Sequence, residues 1–131
     1  MVTPMDFGLA QIEQVAQPVH DLERAVDFYR TQLGMKHLFT SNGLAFFDCA
    51  GVRLLLSRPE GVEEAHPGSV IYFKVGDIHQ AYQMMKDRGV AFVDSPHMIA
   101  DMGSYELWMA FFRDSEYNML AISGDIPHNG S

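Results

Sequence analysis

Cysteine is almost missing from this chain: Cys49 is the single one in 131 residues. One thiol excludes an intrachain disulfide and fits a reducing compartment. Positive charge is scarce as well, with 9 Lys and Arg against 17 Asp and Glu and a formal net charge of −8. That balance argues against a nucleic-acid backbone or an anionic membrane as partner, because both would repel it. No apolar run approaches membrane-spanning length, and the first residues show no basic segment followed by an apolar stretch. The expected location is the cytoplasm. The six histidines include no His-x-His or His-Glu-x-x-His spacing, so no sequence-local metal signature stands out. What is present is ordinary for one globular domain: 47% hydrophobic and 20% charged residues, enough for a core that needs no staples.

The most informative positive feature is a duplication. Val19-His20-Asp21-Leu22-Glu23-Arg24-Ala25-Val26 is answered 56 positions later by Val75-Gly76-Asp77-Ile78-His79-Gln80-Ala81-Tyr82. In each copy an apolar strand ends at Val, an Asp stands at a helix entry, and the helix stops at glycine (Gly34, Gly89). Two copies are too few for a stacked array. They fit two half-domains that complete one another around a cavity.

Local patterning fills in the halves. Leu9 to Val19 reads as a strand, with Pro18 at its end because proline removes a ladder donor. Asp21 is placed to cap a helix whose stripe is Leu22, Val26, Tyr29 and Leu33. Lys36 to Ser41, Leu44 to Cys49 and Val52 to Ser57 read as three strands joined at Asn42-Gly43 and Ala50-Gly51. Cys49, in an apolar strand, is expected as a small buried core residue. Residues 59–68, with Pro59, Gly61, Pro67 and Gly68, are linker. The second half runs as strand Ser69 to Val75, helix Asp77 to Arg88, and strands Val90 to Val93, Glu106 to Arg113 and Asn118 to Ser123. Ser95 to Tyr105 is expected as a loop, and the chain as frayed from Gly124. The expectation is an α+β fold: one domain over 1–131, with two tandem βαβββ modules (about 9–58 and 69–123) forming a curved, partly closed mixed sheet. In Leu107-Trp108-Met109-Ala110-Phe111-Phe112 both faces are apolar, so such strands are covered by helix on one side and face a partner or a lined cup on the other.

These motifs resemble the vicinal oxygen chelate superfamily, which groups glyoxalase I, extradiol dioxygenases, methylmalonyl-CoA epimerase, and the fosfomycin- and bleomycin-resistance proteins. The resemblance is carried by Gln14 through Tyr29, by Leu33-Gly34-Met35, and by Phe111-Phe112-Arg113-Asp114-Ser115-Glu116-Tyr117-Asn118, which is similar to the family's Phe-x-x-Asp-Pro-Asp-Gly-Asn turn. It covers residues 10 to 123. It implies a divalent metal in the cup, held by one position on the first and one on the last strand of each half. Carried over, those positions are Gln14, Leu55, Val70 and Ala121, of which only Gln14 has a donor atom. One amide oxygen cannot hold a hard divalent cation. Shifting each strand by one residue meets Arg53, Leu54, Leu56, Ser69, Ile71, Leu120 and Ile122, none of them a carboxylate or imidazole. No metal ligand and no cofactor is therefore expected, since the usual divalent-metal ligands are absent.

Three readings follow. The first is a metal-independent binder of the bleomycin-resistance kind, sequestering a planar or partly apolar molecule. Its apolar cup is lined by Gln14, Phe46, Asp48, Leu55, Val70, Tyr72, Trp108 and Ala121. The second is a glyoxalase-like lyase or isomerase, or a dioxygenase-related enzyme, with a relocated metal or none. It would use His97 and Glu106 as an acid–base pair if the 95–105 loop returns them side by side, with Asp48 and Gln14 nearby. The third is a structural or regulatory dimer whose cup is filled. A homodimer is expected. Gln17 stands apart: a polar residue where the family carries an apolar one facing the helix, it needs a hydrogen-bond partner or an interface.

Overall fold

The structure, a computed structural model, describes residues 8–58 and 69–128. The linker 59–68 with His66, and the leader as far as Phe7, lie outside the described residues.

The first sheet is drawn wholly from the first module, in the order β1-β4-β3-β2. Its strands are β1 (Gln14–Pro18), β2 (Lys36–Ser41), β3 (Leu44–Cys49) and β4 (Val52–Ser57). β1 lies parallel to β4, and the other two pairings are antiparallel. β1 is shorter than the span from Leu9 that the apolar spacing predicts. Leu9 and Ile12 are 96% and 66% exposed and bury too little to hold a strand there. Both hairpin turns use two left-handed residues, Asn42 and Gly43 at φ +54° and +77°, and Ala50 and Gly51 at +52° and +92°. That backbone twist matches the flanking strands. Cys49 is exposed rather than buried, because it is the last residue of β3 and borders the turn.

Between β1 and β2 runs α1 (Leu22–Asp27), capped by the Asp21 carboxylate, which accepts from the Arg24 amide at 3.1 Å. The helix does not continue as α to Gly34. Its last turn, Phe28–Gln32, is a π-turn, with Leu33 N–H donating to the Phe28 carbonyl. The Thr31 hydroxyl donates to the Asp27 carbonyl, and side-chain insertion of this kind loosens the regular ladder. In this geometry the consecutive residues Phe28 and Tyr29 are both buried.

The second sheet repeats the plan. Its strands are β5 (Ile71–Lys74), β6 (Ala91–Phe92), β7 (His97–Asp101), β8 (Tyr105–Arg113) and β9 (Met119–Pro127), with β5 parallel to β9. α2 (Ile78–Asp87) is capped by Asp77 and turns Ile78, Ala81, Tyr82 and Met85 inward. β7 is a strand where a loop is expected. It pairs with the first half of β8 through a bulge between Met98 and Ala100, while β6 pairs with the far end of the same strand. Met98 and Ile99 remain exposed, so β7 carries no alternation that sequence could reveal. β9 also runs on through Gly124 to Pro127, paired along all of β8. A Cβ added at Gly124 would stand 3.0 Å from the Ile78 side chain, so the glycine there serves close helix–sheet packing rather than fraying.

The fold is thus α+β with two modules, and the expected single curved sheet is two mixed sheets, unclosed, with no ladder between β1 and β5 among the described residues. A single hydrophobic core joins them: Tyr29, Phe47, Leu54 and Leu56 of the first module with Ile78, Phe112, Leu120 and Ile122 of the second. No helix among the described residues is long and apolar enough to cross a membrane.

Polar bonds tie the modules where the second module's last turn meets α1. The Asp114 carboxylate, almost fully buried, accepts from the Tyr29 hydroxyl at 2.6 Å, the Glu116 and Asn118 amides at 2.8 and 2.9 Å, and the Asn118 side chain. Asn118 in turn donates to the Pro18 carbonyl at 2.9 Å. Glu116 accepts from the His20 and Asp21 amides at 2.9 and 3.0 Å and from Arg24 at 3.0 Å. The Asp-x-Glu-x-Asn turn is an internal clasp. Burial, then the Asp114 charge, push the Tyr29 phenol far above its usual range, so it remains a protonated donor.

Candidate functional site

Strand alternation decides which side chains share a face. In the first sheet, Ala45, Phe47, Leu54 and Leu56 are buried under α1. Gln14, Phe46, Asp48 and Leu55 therefore occupy the other face, together with Arg53 and, across the β2–β3 pairing, Phe39. In the second sheet Ala110, Phe112, Leu120 and Ile122 are buried. Tyr72 and Ala121, paired in register, lie opposite them with Phe111, and Val70 flanks β5 two residues before Tyr72. The ten strand aromatics divide evenly: Phe47, Phe73, Phe92, Trp108 and Phe112 on the helix faces, and Phe39, Phe46, Tyr72, Tyr105 and Phe111 on the open faces.

Trp108 thus does not join the expected lining. Its parity with Ala110 and Phe112 puts it on the helix face, its ring 5.4 Å from that of His79. Ala121 is fully buried, set between Tyr72 and Phe111 in the ladder. Phe39 and Phe46 stack with centroids 4.7 Å apart, and Tyr72 meets Phe111 edge-on at 6.1 Å. Phe39 and Tyr72 are each 52% exposed.

The two sheets leave a cleft of about 360 Å³ along their seam, between the β1–β4 side and β5. Val15, Leu54, Ile71, Tyr72 and Phe73 supply apolar walls, and Arg53 and Lys74 the charge. The Arg53 guanidinium is held by Gln14 Oε1 at 3.1 Å and Glu13 Oε2 at 3.2 Å. Neither cation stands out in the sequence as a site residue. The available signal was parity: each is a lone charge in an apolar strand, two positions from Leu55 and Tyr72 respectively.

The expected acid–base pair is not assembled. In the β7–β8 hairpin Glu106 stands opposite Asp101 and His97 opposite Met109, so they sit at different ends and on different faces. His97 Nδ1 donates to the Ser95 carbonyl at 2.9 Å, bracing its loop. Glu106 accepts from the Trp108 indole at 2.9 Å. Asp48 accepts from the Gly51 amide at 3.3 Å and braces the β3–β4 turn. His128, 2.9 Å from Asp101, is held above its usual pKa by that bond, and Asp101 below its own by the same bond and the Gly103 amide. His37 bonds with the Thr40 hydroxyl at 2.8 Å.

At the four positions where a metal would be held, Gln14 is engaged by Arg53, and Leu55, Val70 and Ala121 offer no donor. No group of three or more His, Cys, Asp or Glu that could hold a metal occurs among the described residues. The donor set does not fit a divalent ion.

Two modules of βαβββ plan, the second with the short β6 and β7 both paired to β8, form mixed sheets with an apolar seam and define the glyoxalase-like class of fold. Residues 11–122 match the Glyoxalase/Bleomycin resistance protein/Dioxygenase superfamily, and the chain belongs to it. It is 28% identical over 123 residues to an uncharacterized protein, YraH, of Bacillus subtilis (strain 168), covering 83% of this chain and 94% of that protein. A glyoxalase/bleomycin resistance protein/dioxygenase from Nocardioides superposes with a TM-score of 0.72 at 24% identity, over 95% of this chain and 88% of the other. Lactoylglutathione lyase from Agrobacterium tumefaciens superposes with a TM-score of 0.74 at 20% identity, over 89% and 95%. At these identities the solved structures speak for the fold alone.

Proposed function

We propose that the protein is a metal-independent small-molecule binder that holds a planar, partly apolar ligand by stacking and burial in the seam between its sheets. The observation that carries this reading is the aromatic surface left open on both inner faces beside a cleft of about 360 Å³. That volume falls within the range of about 300–1,000 Å³ usual for small-molecule sites. The lack of donor atoms at Leu55, Val70 and Ala121 supports the metal-independent part of this reading. The acid–base alternative lacks a site in which His97 and Glu106 meet. We further propose a homodimer in the cytoplasm, with the exposed Leu38 on edge strand β2 and Met98 and Ile99 on β7 as surface for a second copy.

Native mass spectrometry with elemental analysis of the purified protein tests this. The expected result is a dimer without stoichiometric metal, whose melting temperature rises with bicyclic aromatic ligands and ignores chelator. A ligand at 100 times its Kd adds about 2.7 kcal/mol. Tyr72→Ala should remove about 1 kcal/mol of that binding. Stoichiometric metal whose removal by chelator abolishes binding would overturn the reading.

A further inference from the structure

Charge is distributed unevenly between this protein and its cleft. The chain carries nearly two acids for every base, yet among the described residues the two charged side chains that line the cleft, Arg53 and Lys74, are both cations. They come from different modules, Arg53 on β4 and Lys74 on β5, so the cleft is flanked by positive charge on its two walls. Between them stand Tyr72, Phe73, Val15 and Ile71. Among the described residues Lys74 has no carboxylate within ion-pair distance. Arg53 is fixed by the Gln14 amide and paired with Glu13 at 3.2 Å, but the Glu13 side chain is 82% exposed and remains largely in water. An exposed pair of this kind is worth little and is readily exchanged. An anion that displaced the Glu13 carboxylate would meet a guanidinium that Gln14 already holds.

We infer that the ligand of this cleft is an organic anion: an apolar, preferably aromatic body bearing one carboxylate or phosphate, its charge received by Arg53 and Lys74 and its body by Tyr72 and Phe73. This rests on the reading of the cleft as a small-molecule site. It adds the ligand's charge, which the aromatic lining leaves open.

The probes are 2-naphthoate, 2-naphthyl phosphate and the neutral 2-naphthamide, titrated into full-length protein and followed by NMR shifts of the Tyr72 and Phe73 amides. At low salt at least one anion should bind about tenfold tighter than the amide, as a charge-assisted bond to a partly desolvated cation gives. Whichever anion binds tighter identifies the head group. Arg53→Gln and Lys74→Gln, each checked for an unchanged melting temperature, should separately bring the anion toward the amide's affinity. Glu13→Gln, which removes only the competitor, should tighten the anion about threefold and leave the amide unchanged. If all three probes bind alike in the wild type, or Lys74→Gln and Glu13→Gln leave the anion unaffected, the anionic class is overturned while the aromatic cleft stands. If none binds, both readings fail.

Discussion

Gln17 shows how much a single buried polar residue is constrained. Its side chain is fully buried, its amide donates to the Ser69 carbonyl at 3.2 Å, and its Oε1 has no partner among the described residues. An unsatisfied buried acceptor costs free energy that an apolar replacement does not. Gln17→Met is therefore expected to leave stability within about 1 kcal/mol of wild type, or to raise it. Tyr29→Phe, of nearly the same shape, removes a donor from the buried Asp114 carboxylate and should cost about 1–3 kcal/mol. Chemical denaturation of the two variants separates these outcomes. The need for a partner at Gln17 was visible in the sequence; which partner it found was not, because Ser69 is 52 residues away.

At the scale of elements, the turn after β8 and the start of α1 act as one unit. Burial pushes the Glu116 carboxyl up, but the Asp21 and His20 amides and the Arg24 guanidinium together outweigh it and hold it below the usual carboxylate range. A depressed carboxyl contributes stability that is present above its unfolded pKa and is lost as pH falls through its folded pKa. Glu116→Gln should therefore destabilise by about 1–3 kcal/mol at neutral pH, and the difference from wild type should shrink on acidification below the ordinary glutamate range. Thermal melts at a series of pH values would show it. A difference that grew toward low pH would contradict the assignment. His128, raised by Asp101, has the opposite sign: its contribution is complete below its unfolded pKa and fades as pH rises through the folded one.

For the whole molecule, the shared core matters more than the sequence repeat. Val19, Tyr29 and Phe47 belong to one buried cluster with Phe112, Leu120 and Ile122, and Asp114 of the second module is satisfied in part by Tyr29 of the first. A module produced alone would expose this surface and strand that carboxylate. The full chain should unfold in one transition, and a fragment of residues 69–128 should show no cooperative melt by circular dichroism. Two resolved transitions in the full chain would refute this.

Much of this architecture was legible in the residues themselves. Asp21 and Asp77 as caps, Gly34 and Gly89 as stops, and the Asn42-Gly43 turn are decided by local backbone chemistry, which acts over a few residues and can be read there. The period-two alternation of β3, β4 and β8 was likewise readable, and the absence of donor atoms at Leu55, Val70 and Ala121 is a matter of composition. What only the tertiary structure decided involves parity and distance: Trp108 on the helix face, β7 as a strand, His97 and Glu106 on opposite faces, and Arg53 and Lys74 on two walls of one cleft. A one-residue change of register reverses a side chain's face. Contacts between modules depend on packing partners far apart in the chain, so local sequence determined the elements and the tertiary fold determined which side chains meet.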